Sequence, residues 1–109
     1  MANSQITLSS IDFGISEEKT LRGIRLIGRW NSDTSISASI YSRYDDSELF
    51  VLNETVIFNS QGYAEVIATS VQFNIVLDIT NNSNLSIQNI VFFVDYVEAN
   101  NLERRINVN

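Results

Sequence analysis

The sequence predicts an all-β domain, a single antiparallel β-sandwich of about seven or eight strands, jelly-roll or immunoglobulin-like. Three observations predict it. Apolar residues recur with period two along most of the chain, the spacing of half-buried strands. Asn, Ser, Asp and Gly interrupt that alternation at short intervals, where turns need them. Helical spacing is confined to residues 17–21, with Ser16 as its cap.

The elements follow in chain order. Residues 6–11 form a first strand, closed by a turn near Gly14. Residues 21–30 form a second, with Ile24, Leu26, Gly28 and Trp30 on one face and Arg25, Ile27 and Arg29 on the other. Asn31, Ser32 and Asp33 supply turn chemistry before a third strand at 34–44, where Ile36, Ala38 and Ile40 oppose a serine face. Residues 49–52 and 56–58 read as one strand bulged near Glu54. The loop Asn59, Ser60, Gln61, Gly62 predicts a hairpin into a strand at 63–68. Val71, Phe73, Ile75, Leu77 and Ile79 alternate with polar partners and Val76 in the next strand. Residues 85–97 close the set, broken near Asn89. Apolar residues on both faces make the second half of that segment a central strand. The polar ends, 1–5 and 100–109, read as tails. The second is extended or helical for one turn, and both could order against a partner.

The 109 residues fit one domain, with no proline and no low-complexity linker to mark a boundary. Cysteine is absent, so disulfides and thiolate metal sites are excluded. Residues 1–10 are short, polar and uncharged, unlike a leader. No apolar run nears the ~20 residues of a membrane helix. The expectation is folding in a cytoplasm, with no membrane partner. The net charge of −6 disfavours binding to nucleic-acid phosphates. Cations are unevenly placed: Lys19, Arg22, Arg25 and Arg29 cluster early, Arg104 and Arg105 late, and residues 53–101 hold none. That asymmetry is compatible with head-to-tail contact between copies, as well as with a solvated charged face.

Chemistry is sparse. With zero histidines there is no imidazole base, no Ser-His-Asp set and no imidazole metal ligand. Lys19, the sole lysine, stands beside Glu17 and Glu18 and is expected to form an ion pair. Four glycines make no phosphate loop. Glu17 and Glu18, and the run Asp45, Asp46, Ser47, Glu48, are dense acids in predicted turns. Solvation is the expectation, with a hard cation on Asp45, Asp46 and Glu48 as the alternative. Asp95 lies in the most apolar strand, where a carboxylate needs a partner. The expectation is a pair with Arg25 or Arg29, or a strand end that already reaches solvent. Trp30, Tyr41 and Tyr44 could form a sugar platform or pack at the core edge. Three N-x-[ST] triplets begin at Asn53, Asn81 and Asn84, and without a leader they predict no glycosylation. No cofactor or catalytic set is indicated.

The segment from Lys19 through Arg29, followed by residues 36–46, resembles small β-sandwich structural proteins of tailed bacteriophages. Residues 71–77 and 85–90 are similar in style. The resemblance implies a non-catalytic virion component, such as a head decoration, head–tail connector or tail protein. It implies a homo-oligomer touching other virion proteins, assembled in the host cytoplasm. Arg22, Arg25 and Arg29 then form a positive contact patch for acidic residues of a neighbour, Asp45 and Asp46. The alternative is a carbohydrate- or receptor-binding module carried by Trp30, Tyr41 and Tyr44.

Overall fold

Among the described residues, eight strands form two four-stranded antiparallel sheets packed face to face. The computed structural model describes residues 3–96 and 99–108, and the side chains of all of these except 99–101. The strands are β1 (Asn3–Ile11), β2 (Lys19–Arg29), β3 (Ser35–Arg43), β4 (Val51–Ile57), β5 (Tyr63–Ser70), β6 (Gln72–Thr80), β7 (Ser86–Tyr96) and β8 (Ala99–Asn107). The first sheet runs β1-β6-β3-β4 and the second β5-β2-β7-β8. The inner pair β3 and β6 faces the inner pair β2 and β7.

Alternation explains the core. Ile36, Ala38 and Ile40 of β3 and Phe73, Ile75, Leu77 and Ile79 of β6 point inward from one sheet. Leu21, Ile24 and Leu26 of β2, Ala64, Val66 and Ala68 of β5, and Ile87, Ile90, Phe92 and Val94 of β7 meet them from the other. Burying such side chains contributes roughly 25 cal/mol per Å² of apolar surface. Phe13 plugs one end, its ring 5.6 Å from that of Phe73 and 5.0 Å from that of Phe92.

Irregularities fall where side chains must change face. Ser9 and Ser10 bulge out of β1 opposite Asn74, and Asn74 Oδ1 accepts the Ser10 amide at 2.7 Å. The register of β3 with β4 slips between Ile40 and Tyr41, leaving Asn53 unpaired beside the expected Glu54. The β2–β7 register slips between Ile27 and Gly28, leaving Gln88 unpaired next to Asn89. A Cβ on Gly28 would stand 2.0 Å from the Ser86 carbonyl oxygen, so this close approach requires glycine.

Three expectations change. Residues 17–21 are not helical: β2 begins at Lys19, and the buried Lys19 and Leu21 flank a half-buried Thr20 in strand alternation. The segments read as polar tails carry strand, since β1 starts at Asn3 and β8 runs to Asn107. In β8, Leu102 and Ile106 pack on the core while Glu103 and Arg105 are exposed. Residues 1, 2 and 109 of those segments, and Val97 at the expected end of the last strand, lie outside the described residues. The loop 59–62 has the turn chemistry of a hairpin, with Gly62 at φ +80° and Asn59 N–H bonded to the Tyr63 carbonyl at 2.9 Å. Yet its flanking strands separate. Phe58 donates to Ile36 in one sheet, Leu26 donates to the Gly62 carbonyl in the other, and β4 and β5 become edges of different sheets.

Candidate functional site

The three early arginines lie along β2, each in a different setting. Arg22 Nη1 meets Asp95 Oδ2 at 2.7 Å. Asp95 thus pairs with Arg22 rather than with Arg25 or Arg29, because β2 runs antiparallel to β7 and sets Thr20, two residues before Arg22, opposite Asp95. Arg25 lies over the Tyr63 ring, 5.3 Å from its centroid, and Tyr63 lies 6.1 Å from the Phe93 ring. Val91 is buried outside the core cluster, in register between Arg25 and Arg105 on the outer face of the second sheet. Arg29 is exposed at the far end of the strand.

The acids act largely within their own loops. Glu48 Oε1 accepts the Tyr44 amide at 2.9 Å and the Asp45 amide at 3.2 Å. Asp45 accepts both the hydroxyl and the amide of Ser47, and these bonds hold its carboxyl below the ordinary carboxylate value. Asp46 accepts from Gln72 Nε2 at 2.8 Å and lies 3.6 Å from Arg43. These carboxylates therefore face separate partners, and among the described residues no three metal-ligating side chains converge. Lys19 differs from expectation as well. It is 2% exposed, and Nζ donates to the backbone carbonyls of Ile15, at 2.7 Å, and of Val71 instead of pairing with a glutamate. Its neighbours turn elsewhere: Glu17 accepts from the Tyr96 hydroxyl, and Glu18 from the Tyr44 hydroxyl at 2.7 Å. The segment before β2 is thereby tied to β7, to the end of β3 and to the start of β6.

Trp30, Tyr41 and Tyr44 do not come together. Trp30 follows β2 at one end of the sandwich, whereas Tyr44 follows β3 at the other. Tyr41 lies between Asn74 and Leu52 on the outer face of the first sheet. Trp30 instead borders a hollow of about 460 Å³ made by the loops 31–35 and 58–60.

A feature absent from the sequence reading is the flank formed by β4 and β5. These edge strands lie side by side across the two sheets, and Glu54 Oε1 accepts the Ile67 amide at 2.9 Å. Phe58 donates to Ile36, so by antiparallel alternation Val56 and Glu54 aim their backbone groups at β3 while Thr55 and Ile57 aim theirs away. Around this free edge, Ile57 is 75% exposed, Ile67 69% and Val51 66%. Leu49 and Leu52 are exposed nearby. The strand order places β1 and β8 on the opposite flank. The only charges on β4 and β5 are Glu54 and Glu65. Those on β1 and β8 are Glu103, Arg104 and Arg105. Pairing 59–62 as a hairpin hides this flank on paper, because it joins β4 to β5 and leaves neither edge free.

No family model, curated protein or solved structure matches the chain.

Proposed function

We propose that the chain is a non-catalytic structural protein of a bacteriophage particle, working through contacts with its own copies and with other particle proteins. The supporting observation is the β4 flank. A seven-residue edge strand with outward backbone groups, three exposed aliphatic side chains close by and no lysine or proline is an association surface. Its acidic character complements Arg105, the exposed arginine of β8 on the opposite flank, so copies join head to tail. Such a heterologous contact closes into rings or extends into fibres. Arg25 and Arg29 of one copy against Asp45 and Asp46 of the next form the other contact in this reading, despite the internal bonds of both acids.

Assembly takes place in the host cytoplasm, and the mature location is the virion. The test is purification of particles by density gradient. The chain is expected at fixed stoichiometry in the particle band, and charge reversal at Arg25 and Arg29 is expected to lower that stoichiometry. A particle band free of the chain overturns the reading.

A further inference from the structure

We infer that the hollow beside Trp30 is a binding site for a neutral, hydroxyl-rich ring ligand, a sugar of one or two units. Its lining is Trp30, Asn31, Ser32, Thr34, Ser35, Ile36, Phe58, Asn59 and Ser60. Apart from the indole N–H, every polar side-chain group among these is an uncharged amide or hydroxyl. Ile36 and Phe58 are buried and floor the hollow, and the half-buried indole walls it. An aromatic face receives the C–H side of a sugar ring, while amides and hydroxyls exchange hydrogen bonds with its hydroxyls. The volume of about 460 Å³ lies in the range of small-molecule sites.

The rim is held in place before any ligand arrives. Asn59 Oδ1 accepts the amides of Gln61 and Tyr63, both at 3.0 Å. Thr34 donates its amide to the Asn31 carbonyl at 3.0 Å and its hydroxyl to the Asn81 carbonyl at 2.8 Å. Gly62 packs so closely on the indole that a Cβ there would lie 2.8 Å from the ring. Preorganisation of this kind lowers the ordering cost of binding. The side chains of Asn31, Ser32 and Ser60 stand at the mouth and are the groups assigned to the ligand. Tyr41 and Tyr44 have no part in it.

Trp30 is the only tryptophan, so its emission reports on this end of the sandwich, and Ser32, which lines this hollow and not the ones on the other sides of the indole, localises the signal. The experiment titrates the full chain with glucose, galactose, N-acetylglucosamine and their disaccharides, to about 100 mM because single-sugar sites are weak. Glucuronate serves as the charged control. The expected result is a saturable change in Trp30 emission with at least one neutral sugar. Asn31→Ala is expected to weaken it by roughly tenfold, the worth of one good hydrogen bond. Ser32→Phe, at an exposed position that does not threaten folding, is expected to abolish it by filling the mouth. Silence from all the neutral sugars overturns the inference, and so does a response that survives Ser32→Phe. Either outcome leaves the assembly reading standing, since that reading rests on the β4 edge.

Discussion

The Glu54 carboxylate accepts the backbone N–H of Ile67 at 2.9 Å, and this one bond ties the edge of the first sheet to the edge of the second. It also closes one donor on β5 that would otherwise face outward. Glu54→Ala is expected to lower stability by about 1–2 kcal/mol, as for a hydrogen bond to a charged group partly open to solvent. It should also speed hydrogen exchange at the Ile67 amide. Glu54→Gln keeps an acceptor and is expected to retain most of the protection. An Ile67 amide equally protected in Glu54→Ala would falsify the tie.

Lys19 predicts a pH signature. Burial depresses its ammonium below the ordinary 10.5, with Asp12 and Glu17 acting in the opposite direction. In the window just below 10.5 the unfolded chain holds a proton that the folded chain has released. Stability therefore rises with pH through that window. Tyr44 opposes this above 10.0, because its bond to Glu18 raises the phenol and the unfolded chain ionises first. Comparing the wild type with Lys19→Met isolates the lysine. The variant is expected to lose about 1–3 kcal/mol at neutral pH, its two carbonyl partners left without their donor. It should also lack the alkaline rise. Urea midpoints between neutral pH and about pH 10 read both effects.

Asp95 is a carboxylate at a sheet surface, paired with Arg22. Its side chain is 21% exposed and that of Arg22 is 56%, so the pair is worth less than about 1 kcal/mol. Arg22→Ala is expected to shift the urea midpoint slightly at low salt and hardly at all at high salt. A loss above about 3 kcal/mol would mark a truly buried charge instead.

Much of the fold is legible in the alternation, and the reasons for the rest are local. Ile36, Ala38 and Ile40, and the five apolar residues from Val71 to Ile79, announce their strands because one face is wholly apolar. The β8 strand hides because Arg104 stands in its inward row, where Nε donates to the Phe13 carbonyl at 2.9 Å. Lys19 hides for the same reason: a charge next to two glutamates reads as surface, and only the fold brings the Ile15 and Val71 carbonyls to it. Register reassigns Asp95 from Arg25 and Arg29 to Arg22. The 59–62 turn is right in its chemistry and silent about partners, since a tight turn does not say whether its strands stay in one sheet. For that reason the open β4 edge, and the hollow that this turn builds with Trp30, emerge only from the three-dimensional arrangement.

The central proposal is association through the β4 flank, and sedimentation velocity at rising protein concentration tests it most directly. The prediction is a species heavier than one chain that grows with concentration. It should weaken at high salt, because the flanks attract by charge, and Ile57→Lys should abolish it by placing a cation on the free edge. One sedimenting species of single-chain mass at every concentration, identical in the wild type and Ile57→Lys, would contradict it.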